Sequence, residues 1–346
     1  MLPQTPFLVE ALALTVAAAM GYAAHRASLC NVKAVLEIMG SRSAFLLASF
    51  AKAALWATMV YGTVIVLAPS VAVGGGFQTY EPQLLVLFGG FVFGVGAAIN
   101  GGCSLSTLQR LANGDLGMLV TLLGLGVGVL AWSTLDLTFA ITHAIRVPVI
   151  WSRVGDEALV GIAVLWLLAA LEIWRLWSTR PRISIWRLPG SAVYRLSTAA
   201  IAIGLCGGLL NVLLGSWTYT YYLRNAIFSA QRGAEAPRPF LAWLFAALIV
   251  GMIASAVLHR SFRLRRSGKG EIAKRIAGGV IMGFGGALIP GGNDTVVLTG
   301  IPTLSGVALA TYAALLLGIA AALVVMRAAG AEMPVIECGG DACTSR

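Results

Sequence analysis

Hydrophobic residues gather into nine long runs along the chain, with short polar or glycine-rich segments between them. Each run approaches the roughly 20 apolar residues that an α-helix needs to cross a bilayer. The runs lie around residues 7–24, 43–69, 83–99, 116–140, 157–177, 193–214, 239–258, 272–289 and 305–326. The pattern predicts an all-α polytopic membrane protein with about nine transmembrane helices. Residues 2–24 lack a basic start and a cleavage site, so we expect the first helix to stay in the mature protein.

Paired glycines interrupt the pattern at two places, in the sequences NGGC at 100–103 and PGGN at 290–293. Glycine and proline destabilise a continuous helix, and lipid cannot satisfy the backbone groups that a break sets free. We interpret each site as a helix that ends inside the membrane, followed by a short broken or re-entrant helix that lines a substrate route. The alternative is that glycines only allow close helix packing, which we favour for Gly94 and Gly96.

The two interrupted stretches share one design. The segment that begins at residue 89 aligns without a gap on the segment that begins at residue 278, and five glycines coincide. A weaker copy surrounds Cys30 at 25–45, and its counterpart at 215–240 aligns only by pattern. We therefore expect two pseudo-symmetric halves. The predicted boundaries are 1–177 for the first half, 178–195 for a basic cytoplasmic linker, 196–330 for the second half and 331–346 for a polar tail.

Charge and composition support a membrane protein and suggest its orientation. Of 346 residues, 58% are hydrophobic and 11% charged, with a mean hydropathy of +0.87 and a net charge of +10. The basic residues concentrate at 175–195 and 259–275, which the positive-inside rule places in the cytoplasm, so we expect no nucleic acid as a partner. The segment 70–82 has no Lys or Arg and is expected at the outer face. Re-entrant segments change the parity of the crossings, so the pattern leaves the full topology open.

Two of the five cysteines stand where short helices are expected to begin. The first N–H groups of a helix lack intrahelical partners and carry the positive end of its dipole, so they favour an anion. At such a position the thiols of Cys30 and Cys103 are polarisable and more easily ionised than a free cysteine. Two such sulfur atoms suit a soft, sulfur-bearing anion. The alternative is that both cysteines are small hydrophobic residues of the core.

The other cysteines carry less information. Cys206 lies within an apolar run and is expected in the core, whereas Cys338 and Cys343 lie in the polar tail and could pair, bind a metal or stay free. Only three histidines occur, none at metal-site spacing, so we expect neither a metal nor another cofactor. Nucleotide-binding motifs are also absent from the sequence.

Three motifs in order resemble the YeeE/YedE family of sulfur transport membrane proteins. The stretch GVGAAINGGCSLSTLQRLANGDLGMLVTLLG is similar to the family's glycine-cysteine signature, GGVIMGFGGALIPGGNDTVVLTG to its later copy, and HRASLCNVKAV to its early cysteine segment. The resemblance implies short helices that dip from both faces toward a central constriction. It also implies a relay of cysteine thiols that passes thiosulfate by S–H···S contacts, without covalent change.

Carried onto this chain, the family pattern makes Cys30 the early cysteine and Cys103 the central one. The third cysteine falls at Gly292, which lacks a thiol, while Asn293 keeps the family's asparagine. This departure opens the possibility of a different substrate. The expected substrate pathway comprises Cys30, Cys103, Gly102, Ser104, Gly291, Gly292 and Asn293.

Three charged residues lie near these motifs, and two of them have two interpretations each. Lys33 and Arg224 could attract anions to the pathway, although Arg224 lies among aromatic residues that commonly anchor a protein in lipid headgroups. Asp294 could cap the helix after Gly292; if it lines the path instead, a proton or cation could accompany the anion.

The sequence thus predicts a multi-pass protein of the cell inner membrane that imports a small sulfur-containing anion, thiosulfate first. We expect a transporter or channel and no enzyme, with the lipid bilayer and, by resemblance only, a cytoplasmic sulfur-carrier protein as partners. The alternatives are a membrane dithiol redox protein that uses Cys30 and Cys103, and a divergent family member that carries another ion.

Overall fold

The computed structural model describes residues 7–67, 78–80, 84–139, 146–148, 156–178, 195–289, 291–339 and 342–345. Within them, eight helices are long and apolar enough to cross a membrane, or nine if a bent pair counts as one span. The predicted all-α polytopic class is confirmed. The long helices are α1 Phe7–Ala27, α3 Phe45–Leu67, α4 Leu84–Asn100, α6 Gly117–Phe139, α7 Asp156–Ser178, α8 Leu196–Leu214, α10 Pro239–Leu258, α11 Lys269–Leu288 and α13 Gly306–Ala328.

Four short helices each lie between two long ones along the chain. They are α2 Asn31–Ser41, α5 Ser104–Ala112, α9 Tyr219–Arg232 and α12 Asn293–Thr295, which continues as a π-helical turn over Val296–Gly300. Each follows a long helix after a break of three or four residues. In two breaks, Gly101 and Gly291 adopt φ angles of +73° and +126°, a conformation that favours glycine. The unit of long helix, break, short helix and long helix therefore occurs four times.

Two short antiparallel strand pairs accompany the helices. β1 Gln78–Tyr80 pairs with β2 Arg146–Pro148, and β3 Ile336–Gly339 pairs with β4 Ala342–Ser345. The hydrophobic pattern did not predict them, because they lie outside the apolar runs that carry the periodic signal. β1 falls within the predicted outer segment 70–82, most of which lies outside the described residues.

Helix contacts follow a reciprocal pattern. α1 packs along α10 while α3 packs along α8, and α4 packs along α13 while α6 packs along α11. When α1–α6 are matched in order to α8–α13, the α1–α10 pair corresponds to the α8–α3 pair. In the same way, the α4–α13 pair corresponds to the α11–α6 pair. This is the pattern of two pseudo-symmetric halves, with α7 outside the correspondence. The exact domain boundaries stay predictions.

Glycine faces bring the central helices into backbone contact. A Cβ at Gly94 of α4 would overlap the Leu315 carbonyl of α13, and a Cβ at Gly96 would lie 2.5 Å from the Met282 nitrogen of α11. These two glycines have the packing role that their spacing suggested. α4 is thereby held between α11 and α13, directly before the NGGC break.

The helix ends that flank the two basic segments lie at one end of the molecule. Glu10 pairs with Arg238 at 3.6 Å near the starts of α1 and α10, and His25 bonds Ser255 at 2.9 Å near their ends, so these helices run parallel. The pairs α1–α2, α4–α5 and α8–α9 each form one candidate span, and the helix over 293–300 bends by only 41° from α11. Each short helix therefore continues a crossing rather than reversing it. Two crossings, α8 with α9 and then α10, separate the basic linker from the segment after residue 258. The positive-inside rule predicts that this shared end, called here the basic end, faces the cytoplasm.

Candidate functional site

The thiols of Cys30 and Cys103 meet in the interior of the molecule. The two residues are 1% and 0% exposed and stand directly before α2 and α5. Their thiols lie beside each other, close enough to interact. The backbone N–H groups of Lys33 and Cys103 lie near the Cys30 sulfur, and those of Ser106 and Asn31 lie near the Cys103 sulfur. Each sulfur thus faces N–H groups from the starts of both short helices.

The start of α12 joins the thiol pair through a side-chain hydrogen bond. The Ser104 hydroxyl donates to Asn293 Oδ1 at 2.6 Å, and both residues are buried. Ser104 is the first residue of α5, directly after Cys103, while Asn293 is the first residue of α12. Two predicted pathway residues from different halves therefore lie in contact.

The start of α9 completes the cluster with threonine side chains. The Thr220 hydroxyl accepts a hydrogen bond from the Gly292 N–H at 2.7 Å and donates to Asp294 Oδ1 at 2.5 Å. The Thr218 and Thr295 hydroxyls lie 2.5 Å apart. The sequence pattern did not single out Thr218 and Thr220, although Thr218 stands directly before α9 as Cys103 stands directly before α5.

The N-termini of the four short helices therefore lie together in one buried cluster. The thiols link α2 to α5, the Ser104–Asn293 hydrogen bond links α5 to α12, and Thr220 links α12 to α9. Each start carries N–H groups without an intrahelical partner and the positive end of a helix dipole. An arrangement of this kind favours a bound anion.

Three buried donors at the helix starts have no hydrogen-bond partner among the described residues: Asn31 Nδ2, Tyr219 OH and Asn293 Nδ2. Each belongs to the first residue of its short helix. The Tyr219 hydroxyl also faces Ser104, and Asn31 Oδ1 accepts a hydrogen bond from the Tyr312 hydroxyl at 3.1 Å. Because an unpaired buried donor costs free energy, these groups indicate a ligand that supplies acceptor oxygens.

The two cations predicted to attract anions lie on different short helices. Lys33 is close enough to Cys30 to act on it electrostatically. The Arg224 guanidinium donates to the Ala287 carbonyl at 3.1 Å, and the residue lines a small pocket with Thr220, Gly291 and Gly292. α2 leads toward the basic end and α9 toward the opposite end. One cation thus flanks each side of the helix starts, and its attraction of anions stays a prediction.

Gly292, where the resemblance implied a third cysteine, has no room for a side chain. A Cβ there would lie 2.9 Å from Asp294 Oδ1, 2.9 Å from Thr220 Cγ2 and 3.1 Å from the Ser104 hydroxyl. Hydroxyl and carboxyl oxygens occupy the space that a thiol would need. Asp294 bonds Thr220 of α9, so its side chain joins two helices.

The remaining cysteines lie away from the thiol pair. Cys206 is partly buried and packs against the hydrophobic core, as expected. Cys338 and Cys343 form a disulfide that closes the β3–β4 hairpin, whose first strand packs on α2. Of the three roles open to the tail cysteines, the structure shows pairing.

An ion-pair cluster lies at the basic end. Asp115, between α5 and α6, pairs with Arg275 at 2.7 Å and with Arg110 at 3.1 Å. Burial by itself would raise the pKa of Asp115, but hydrogen bonds from Arg275 and the charge of Arg110 hold it below its usual value. Arg110 therefore has a structural partner outside the thiol cluster.

Membrane helices that break at a buried polar site are typical of membrane transport proteins. The family model described as Sulphur transport matches residues 13–321, which include all four short helices and both thiols. The chain therefore belongs to this family, the YeeE/YedE family of sulfur-compound transporters. A search of the curated proteins found no match.

Proposed function

We propose that the protein imports thiosulfate through the site where the four short helices begin. One observation carries the proposal: two fully buried thiols from separate helix breaks contact each other, surrounded by helix N-termini. A structural cysteine pair would not require the unpartnered donors of Asn31, Tyr219 and Asn293 beside it. The combination of soft sulfur and hydrogen-bond donors is what a sulfur-bearing oxyanion needs.

The two kinds of group fit the two ends of thiosulfate. Its terminal sulfur is polarisable and suits S–H···S contacts with Cys30 and Cys103. Its sulfonate oxygens are acceptors, which suit the amide and hydroxyl donors and the free N–H groups of the helix starts. Sulfate lacks the terminal sulfur, and sulfide lacks the oxygens. The site would therefore select a substrate that carries both a terminal sulfur and acceptor oxygens.

The thiols also close the path, so conduction requires the substrate to replace their mutual contact. Weak successive contacts then release the anion toward the basic end, with no covalent bond made or broken. Arg224 would attract the anion on the side opposite the basic end, and Lys33 would meet it beyond Cys30. The proposed location is the cell inner membrane, with delivery to a cytoplasmic sulfur-carrier protein.

Labelled uptake with matched cysteine variants tests the proposal. Cells that depend on this protein for sulfur would be given ³⁵S-labelled thiosulfate, sulfite and sulfate. We expect thiosulfate uptake to be lost in Cys103→Ser and kept in Cys206→Ser, which changes a cysteine outside the site. Uptake of none of these species by the wild type, or equal uptake by both variants, would contradict the proposal.

A second candidate function rests on the same contact. Thiols that touch can form a reversible disulfide, so a membrane dithiol redox protein would also need Cys30 beside Cys103. Alkylation of the purified protein under oxidising and reducing conditions, read by mass spectrometry, separates the two. Transport needs free thiols, whereas a redox function needs the pair to cycle, and a disulfide that supports activity would favour the redox protein.

A further inference from the structure

We propose that Asp294 is a proton-binding site that couples proton movement to anion movement. The inference deepens the proposed function and rests on it. Asp294 is 6% exposed, lies in the first turn of α12 and belongs to the cluster of helix starts. The thiol pathway gives it no role, yet its carboxyl group stands directly beside the proposed anion site.

The carboxyl group uses donors that an anion could otherwise use. Its Oδ1 accepts from the Thr220 hydroxyl at 2.5 Å, and its Oδ2 lies 3.4 Å from the Thr220 N–H. The N–H groups of Asp294 and Thr295 are also directed at it. When ionised, the carboxylate is itself an anion seated at the starts of α9 and α12. It competes with a substrate for the same donors.

No cation among the described residues neutralises this charge. The salt bridges formed by those residues do not include Asp294. α12 packs against α5 and α9. The titratable groups nearest on those helices are Tyr219 and Cys103, which are neutral in their protonated forms, and Arg224, whose guanidinium donates to the Ala287 carbonyl.

The position of Asp294 relative to the substrate side is fixed by short contacts. Its Oδ1 and the Ser104 hydroxyl both approach the Cβ position of Gly292, and Ser104 directly follows the Cys103 thiol. A divalent anion held by Cys103, Ser104 and Asn293 therefore lies next to the carboxyl group. Two negative groups repel strongly at a buried site, so the ionised carboxylate opposes binding.

Protonation removes this conflict. A neutral Asp294 no longer repels the anion, releases its hold on the N–H donors and offers an O–H donor of its own. Because linkage is reciprocal, the anion must strengthen proton binding by the same factor by which the proton strengthens anion binding. Proton and thiosulfate are therefore bound together and move in the same direction.

The test is uptake of ³⁵S-thiosulfate by the purified full-length protein in proteoliposomes, with and without an inward proton gradient. We expect the gradient to stimulate wild-type uptake about tenfold, within the range usual for coupled sites. Asp294→Asn, neutral at every pH, should transport down a thiosulfate gradient but ignore the proton gradient. Asp136→Asn is the matched control, because Asp136 forms an ion pair with Arg232 at 2.7 Å away from the site.

A measurement on the wild type alone protects the test against a misfolded variant. Thiosulfate added to the detergent-solubilised protein in weak buffer should cause proton uptake, detected with a pH-sensitive dye. Thiosulfate transport without proton uptake and without gradient stimulation would overturn this inference and leave the proposed function intact. A wild type that transports no thiosulfate would overturn both.

Discussion

The two halves build the same geometry with different chemistry. In the first half, the breaks before α2 and α5 present the thiols of Cys30 and Cys103. In the second half, the breaks before α9 and α12 present Thr218 and Gly292, followed by Thr220 and Asp294. One half of the site is therefore rich in sulfur and the other in oxygen. The difference suggests that one repeated arrangement of helix N-termini can carry different side chains in each half. The two halves can then bind the two unlike ends of one substrate.

The largest effect should follow from removing a thiol from the sulfur-rich half of the site. Cys30→Ser and Cys103→Ser should each lower thiosulfate uptake about 100-fold, as when one preorganised donor is removed from a dry site. Since the thiols act as a pair, the double variant should be little worse than either single one. Initial uptake rates, corrected for membrane abundance, provide the measurement. Additive losses would show that the two thiols act independently.

Introducing a thiol at Gly292, in the oxygen-rich half of the site, tests why this position has no cysteine. In Gly292→Cys, the new Cβ would crowd Asp294 Oδ1 and Thr220 Cγ2, each 2.9 Å away. We expect a loss of about 1–3 kcal/mol of stability, as overpacking usually costs, together with reduced uptake. Asp294→Gly in the same background should recover part of the stability, which thermal unfolding in detergent would show. No loss in the single variant would contradict the tight packing of this break.

An effect of similar size, on stability alone, is expected from removing the hydroxyl that joins the two breaks of the second half. Thr220→Val keeps the shape of the side chain but loses the hydrogen bonds to Gly292 N–H and Asp294 Oδ1. Leaving these buried groups unpaired should cost about 1–3 kcal/mol. Thr15→Val, at an exposed threonine whose hydroxyl donates to the Ala11 carbonyl of its own helix at 2.9 Å, serves as the control. An unchanged melting temperature in both variants would remove Thr220 from the framework of the site.

The smallest effect concerns a region outside both sets of breaks. The folded protein holds the pKa of Asp115 below its ordinary value of 3.8, so its stabilisation is complete above that value and is lost as pH falls through the lower folded pKa. Asp115→Asn should remove this acid-dependent part of the stability and leave substrate preference unchanged. Melting temperatures across an acidic pH series, with Glu271→Gln for comparison, provide the check. A change of substrate preference would mean that the basic end contributes to selectivity.

The hydrophobic pattern could predict most of the fold, because membrane helices need long apolar runs and the chain shows them plainly. Each of the nine apolar runs corresponds to one long helix, and the helix ends differ from the predicted run ends by only a few residues. The short break before α9 was harder to recognise, since Gly215 and Ser216 lack the paired glycines of NGGC. Strand pairing between β1 and β2 depends on contacts distant in sequence, which a local pattern does not contain.

For the site, the chemistry of helix starts singled out Cys30 and Cys103, the family resemblance added Ser104 and Asn293, and the structure brings all four together. It could not single out Thr220, because a threonine in a helix has many ordinary roles and its partner Asp294 lies 74 residues away. The parity of the crossings was also beyond the sequence. It depends on each short helix continuing in the direction of the helix before it, which only packing reveals.

The central claim is that the two thiols form the sulfur side of a thiosulfate site. A cryo-EM map of the full-length protein with thiosulfate bound tests it most directly. The account predicts the terminal sulfur between Cys30 and Cys103, with the sulfonate oxygens toward Ser104, Asn293 and Tyr219. Thiosulfate bound elsewhere, with the thiols still in contact with each other and no ligand density beside them, would contradict the claim.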